Sequence, residues 1–137
     1  MSDEIPKVQI TCVGLAIEAS ADMHCYAQNP DKSSSAQQWQ LVYYPEVDAV
    51  AMLIELNNKT YALSAPPDEP YPSLRVFRWE DSYLWRVAPL GGNKGIPTVR
   101  DQGYCLTWEG GGGWKEGTKL QYYKWEDQEN QRWNVSK

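Results

Sequence analysis

The chain has 137 residues, a formal net charge of −5 and a sequence pI near 4.8, a length suited to one domain around one hydrophobic core. Its Lys and Arg residues are scattered rather than clustered, which argues against nucleic acid or an anionic membrane as the main partner. Seven Trp and nine Tyr stand against one Phe, a choice of aromatics with polar tips that suits a half-wet binding face as well as a core.

Met1 to Lys7 has neither a basic start nor an apolar run of signal-peptide length. A soluble cytoplasmic protein without membrane insertion is therefore expected. Helix signals are poor, because Pro and Gly punctuate nearly every ten residues and no long segment keeps an apolar period near 3.6. Twelve short strands are predicted in order: Val8 to Val13, Leu15 to Glu18, Met23 to Tyr26, Trp39 to Tyr43, Ala51 to Leu56, Tyr61 to Ser64, Leu74 to Trp79, Leu84 to Val87, Thr98 to Asp101, Tyr104 to Trp108, Leu120 to Trp125 and Arg132 to Val135. In the run Leu120-Gln121-Tyr122-Tyr123, the strand period of two puts Leu120 and Tyr122 on a core face and Gln121 with Tyr123 on a face free to bind. Cys12, Cys25 and Cys105 read as small buried apolar residues. One His and no close Cys pair give no reason to expect a metal or cofactor.

Trp39, Trp85 and Trp133 fall 46 and 48 residues apart, each followed two residues later by Leu41, Val87 or Val135. Upstream, Leu15 to Glu18, Tyr61 to Ser64 and Tyr104 to Thr107 align as one strand. Met23 to Tyr26, Leu74 to Phe77 and Leu120 to Tyr123 align as the next. The phrases Phe77-Arg-Trp-Glu-Asp81 and Tyr123-Lys-Trp-Glu-Asp127 are near copies. Three repeats of four strands, over about 5–50, 51–98 and 99–137, predict an all-β chain folded as a β-trefoil, a threefold barrel capped by hairpins that exposes no sheet edge.

Gln37-Gln38-Trp39 and Gln131-Arg132-Trp133 match the Gln-x-Trp signature of ricin-B-type β-trefoil lectins. The third repeat, with Gly117-Thr-Lys-Leu-Gln-Tyr-Tyr and then Asn130-Gln-Arg-Trp133, resembles fungal intracellular members of that family. The middle repeat has Tyr83 where Gln belongs. The resemblance implies one shallow sugar site per repeat, built from an acid after the first strand, a polar residue and an aromatic on the second, and an Asn before the Gln-x-Trp. Carried over, it assigns Gln121, Tyr123 and Asn130 to the third repeat, with Gln131 as support behind them and Thr107 in the place of the acid. Glu109 is expected to supply the missing carboxylate and Trp114 a second wall. The first repeat offers Glu18, His24, Tyr26 and Gln37, with Ala36 in place of Asn. In the second, Ser64, Phe77, Ser82 and Tyr83 stand at the four positions beside a stiff Pro-rich loop over 65–72, and no sugar site is expected there.

The function this resemblance implies is that of a non-catalytic lectin for galactose or N-acetylgalactosamine on glycoproteins or glycolipids, with avidity from two sites or a homodimer. A rival from another class is a trefoil protease inhibitor using the 65–72 or 109–117 loop. Glycoside hydrolysis needs two carboxylates flanking one cleft, and no such pair stands on the strands of one repeat. The lone His24 has no triad partners. Gly110 to Gly113 lacks the following Lys-Ser/Thr of a phosphate loop. The acids at Glu80-Asp81 and Glu126-Asp127 read as ordinary turn residues.

Overall fold

The computed structural model describes residues 7–87, 91–101 and 103–136. Among them, eleven strands are assigned in chain order: β1 (Gln9–Cys12), β2 (Leu15–Ala19), β3 (Cys25–Gln28), β4 (Gln40–Tyr44), β5 (Ala49–Leu56), β6 (Lys59–Ser64), β7 (Ser73–Arg75), β8 (Gly91–Lys94), β9 (Tyr104–Trp108), β10 (Leu120–Lys124) and β11 (Trp133–Ser136). They form an antiparallel sheet in the order β3-β2-β1-β11-β8, a second in the order β4-β5-β6-β7, and the hairpin β9-β10. The ends of the described chain meet in one ladder, with Gln9 opposite Ser136 and Ile10 opposite Val135. Single bridges from Val8 to Trp39, Val50 to Trp85 and Tyr26 to Lys119 join the remaining edges.

The threefold repeat seen in the Trp spacing has a physical cause. Trp39, Trp85 and Trp133 are buried to 1% exposure or less. Each indole N–H donates to a first-strand carbonyl of its own repeat: Trp39 to Ile17 at 3.1 Å, Trp85 to Leu63 at 2.9 Å and Trp133 to Leu106 at 3.0 Å. A buried indole needs an acceptor for its N–H, and the strand supplies one at the same place three times. Burying each ring contributes on the order of 4 kcal/mol by area. A single 3-10 turn precedes each Trp, over Ser35–Gln37, Asp81–Tyr83 and Glu129–Gln131.

Two predicted strands shrink to bridges: around Trp85 the ladder contacts are with Val50 and Thr98 alone, and the Thr98 to Asp101 stretch keeps a bridge at Thr98. In their neighbourhood the β8 ladder comes from Gly91–Lys94, which carries no apolar alternation to reveal it. Strand β3 begins at Cys25, because Met23 takes a positive φ of 70° in the hairpin turn closed by its amide on the Ser20 carbonyl. The second-strand reading over Leu74 to Trp79 ends at Arg75.

All three cysteines are free and buried. Desolvation pushes the Cys12 thiol up to about 12 and Cys105 to about 11, and raises Cys25 further.

Candidate functional site

The third repeat is built on the β9-β10 hairpin, in which Thr107 faces Gln121 and Cys105 faces Tyr123. Period-two alternation then sends Leu106, Trp108, Leu120 and Tyr122 into the core, and leaves Gln121 and Tyr123 on the outer face. The Glu129–Gln131 turn closes over that face. Its Gln131 is buried and fully bonded: Nε2 donates to the Lys124 carbonyl at 2.8 Å and Thr107 Oγ1 at 3.3 Å, while Oε1 accepts the amides of Glu126 at 2.9 Å and Gln128 at 3.3 Å. Asn130 is also buried, and its Nδ2 donates to the carbonyls of Trp108 at 2.8 Å and Gly110 at 3.4 Å. The glycine-rich loop is thereby tied back at its start, and Trp114 Nε1 bonds the same Gly110 carbonyl at 3.2 Å.

The result is a cleft of about 390 Å³ lined by Thr107, Trp114, Gln121, Tyr123, Asn130 and Gln131, together with Glu126, Gln128, Gly110 and Gly111. Six of the seven residues assigned to this repeat from the sequence converge here. Three of them are committed to protein partners, since Thr107 also donates to the Cys105 carbonyl at 3.0 Å. Gln131, Asn130 and Thr107 therefore hold the cleft in shape, and the remaining lining side chains are the Tyr123 and Trp114 rings with Gln121, Glu126 and Gln128, the last also donating to the Glu126 carbonyl at 3.4 Å. Tyr123 is 47% exposed.

The seventh residue, Glu109, lies elsewhere: its carboxylate accepts the hydroxyl of Tyr71 from the second repeat and does not line the cleft. Period two puts Glu109 on the Thr107 side of the strand, and its amide still bonds the Lys119 carbonyl at 3.0 Å, but its carboxylate is taken by Tyr71 across the seam. The carboxylate of the cleft comes instead from Glu126, which reads in the sequence as a turn acid. The signal that marks it is its distance before Gln131, five residues, against six between Asp31 and Gln37.

That equivalence corrects the first repeat. Gln37 Nε2 donates to the Asn29 carbonyl at 3.1 Å and to Glu18 Oε1 at 3.2 Å, and its Oε1 accepts the Asp31 amide at 2.8 Å and Gln9 Nε2 at 2.8 Å. Asn29 and Asp31 thus stand where Lys124 and Glu126 stand in the third repeat. Glu18 faces Tyr26 as Thr107 faces Gln121. Tyr26 is the counterpart of Gln121 and Gln28 that of Tyr123, two residues from the alignment that the sequence suggests. A slip of two keeps every side chain on its own face, so alternation is blind to it. His24 consequently falls outside the Glu18, Tyr26 and Gln37 group. Its ring packs edge-on to Tyr71 at 6.3 Å, with Nε2 3.5 Å from Glu69 of the second repeat. Tyr26 instead bonds Asp22, which pushes the phenol up to about 12 and holds the carboxyl below its usual range.

In the second repeat Ser64 faces Ser73, and the same frame places Arg75, not Phe77, at the position equivalent to Tyr123. The near-copied phrases at Phe77 and Tyr123 are thus out of register by two. Phe77 stacks on Tyr44 at 6.0 Å and meets Tyr83 edge-on at 5.9 Å, in a cluster that Trp79 completes.

No protein-family model matches the sequence, and no curated protein is similar to it. Solved structures do match. The designed threefold-symmetric protein ThreeFoil superposes with a TM-score of 0.80 over 96% of this chain and 98% of its own, at 16% identity. The chain is a β-trefoil. A mosquitocidal holotoxin aligns over all of the chain with a TM-score of 0.84 and 14% identity, although this β-trefoil spans only 18% of the toxin's length. The Macrolepiota procera ricin B-like lectin, solved with lactose, matches over 100% of this chain and 99% of its own, with a TM-score of 0.69 and 19% identity. At such identities the likeness is one of fold. No described helix is long and apolar enough to cross a membrane.

Proposed function

We propose that this β-trefoil is a non-catalytic carbohydrate-binding protein that recognises galactose- or N-acetylgalactosamine-type glycans through its third repeat. The observation that carries the reading is the third-repeat cleft, where two aromatic rings, Tyr123 and Trp114, stand beside the amides of Gln121 and Gln128 and the Glu126 carboxylate. A pyranose has an apolar C–H face and a rim of hydroxyls. An aromatic ring fits the first, and amides that both donate and accept fit the second. A carboxylate accepts from two adjacent hydroxyls at once, and Glu126 takes the role that Thr107 cannot. The galactose preference rests on the sequence resemblance and on the fold neighbour solved with lactose.

The first repeat contributes a weaker second site around Glu18 and Tyr26, since Glu18 is already engaged by Gln37 and by Ser34 Oγ at 3.2 Å. The lining of the third-repeat cleft, in which Glu126 is the one carboxylate, supports the reading without catalysis, since glycoside hydrolysis uses two. A shallow site of this kind binds in the millimolar to micromolar range, and two sites or a homodimer supply avidity.

A glycan array with free-sugar competition tests the reading. Tyr123→Ala is expected to lower affinity at least tenfold while leaving the unfolding midpoint unchanged, because the ring is half exposed. Silence across all glycans at high protein concentration, with the protein folded, refutes it.

A further inference from the structure

A second cleft, of about 440 Å³, lies in the seam between the second and third repeats. Its walls are Tyr104 and Tyr123 on one side and the proline loop through Pro67, Asp68 and Pro70 on the other, with Arg100 at its margin. Tyr123 lines this cleft and the third-repeat cleft alike, so the two meet at one exposed ring. Tyr104 is 39% exposed, which offers a second aromatic surface beyond it.

The seam cleft is built before any ligand arrives. The Tyr122 hydroxyl donates to the Pro66 carbonyl, the Tyr122 amide donates to the Pro70 carbonyl at 2.8 Å, and Arg100 Nε donates to the Ala65 carbonyl at 3.1 Å. Arg100 Nη2 also donates to the Tyr122 hydroxyl at 3.0 Å, with the guanidinium 5.7 Å over the Tyr122 ring. A loop stapled at three points and stiffened by prolines loses little entropy on binding. The charge is lopsided: Asp68, Glu69 and Asp101 line the cleft against one guanidinium, which is already spent on protein acceptors. An anionic ligand meets repulsion here, and a neutral one does not.

We propose that the seam cleft takes the second, uncharged unit of an oligosaccharide whose first unit occupies the third-repeat cleft, with Tyr123 shared by both units. This rests on the carbohydrate reading of the third repeat. It adds a length preference, for at least a disaccharide, and a discrimination against sulfate or carboxylate on the second unit.

Calorimetric titration with three probes tests it: galactose, N-acetyllactosamine, and N-acetyllactosamine sulfated at the 6-position of its glucosamine unit. The neutral disaccharide is expected to bind roughly three- to tenfold more tightly than galactose, the gain of one aromatic contact, and the sulfated one is expected to lose that gain. Tyr104→Ala should remove the gain and leave galactose affinity unchanged. Asp68→Lys, at an exposed loop position, should reverse the order of the two disaccharides, and serves independently should Tyr104→Ala fail to fold. Equal affinity for galactose and both disaccharides, or a Tyr104→Ala protein that retains the full gain, overturns the seam proposal while the carbohydrate reading stands. Failure of all three probes to bind the folded wild type overturns both.

Discussion

Replacing Gln131 by alanine should damage both the fold and the cleft, and by an amount the geometry fixes. The side chain is 1% exposed and makes four hydrogen bonds, two short, to the Lys124 carbonyl and the Glu126 amide, and two at 3.3 Å. At a net 0.5–1.5 kcal/mol each, four bonds amount to about 2–6 kcal/mol. The long pair counts least, and Lys124 and Glu126 are exposed enough for water to replace part of what is lost. About 2–4 kcal/mol remains, a large share of the roughly 5–15 kcal/mol that holds a domain together. With an m-value near 2 kcal/mol/M, the urea midpoint should fall by about 1–2 M. Gln131→Glu keeps the acceptor for the two amides and loses both donors, so it should fall between wild type and alanine. A midpoint shift under about 0.3 M for alanine would refute the reasoning, since it would mean that water satisfies all four partners as well as the amide does.

Three other outcomes follow from the same geometry. Glu126→Gln should weaken sugar binding about tenfold, the value of a charge-assisted bond over a neutral one, whereas Glu109→Gln, whose carboxylate serves Tyr71, should leave binding unchanged; equal losses in a titration would reverse the assignment. The folded protein should resist a disulfide-exchange thiol reagent at pH 8. With Cys105 near 11 and Cys12 near 12, the thiolate fractions are on the order of one in a thousand and one in ten thousand, and all three thiols should react once urea exposes them. Tyr26 should titrate near 12, because its bond to Asp22 favours the protonated phenol; that contribution to stability is fully present below pH 10 and lost as pH rises through 12. Ultraviolet difference titration against Tyr26→Phe isolates the phenol, and in Asp22→Asn its midpoint should return toward 10.

What could be read from the sequence divides along physical lines. The three Trp residues announce the threefold plan because a buried indole needs a bonded N–H, so each repeat must keep that residue at that place. Strand faces were legible for Leu120 to Tyr123 because alternation is a local property. Alternation carries no information about a shift of two, however, and that is why His24 aligns by pattern with Gln121 while the hydrogen-bonded register puts Tyr26 there. Glu109 and Glu126 exchange roles for a related reason. Strand periodicity gives the face of Glu109 but not the Tyr71 hydroxyl from another repeat that takes its carboxylate, and Glu126 reaches the cleft through a turn that Gln131 organises from five residues away. Strand β8 was illegible because its backbone pairing is made at Gly91 and Lys94 of a glycine-rich stretch, and side-chain pattern has nothing to say about it.

The three corners of the barrel show how closely the site depends on one amide. In the first and third repeats, Gln37 and Gln131 each bind one strand-end carbonyl and one amide two residues further on, and that second residue is an acid, Asp31 or Glu126. The side chain that stabilises the turn is thus the one that positions the carboxylate. In the second repeat Tyr83 stands in this place, and its hydroxyl offers one donor on a single atom, where a primary amide sets two N–H donors and a separate carbonyl acceptor apart in a fixed fork. Arg78 occupies the position of the acid there, and Phe77 meets Tyr83 edge-on while stacking on Tyr44, which Trp79 meets in turn. Loss of the amide and loss of the polar site at that corner are therefore one event, with aromatic packing substituting for the hydrogen bonds. A corner of this β-trefoil keeps a polar rim only where the glutamine remains to order it.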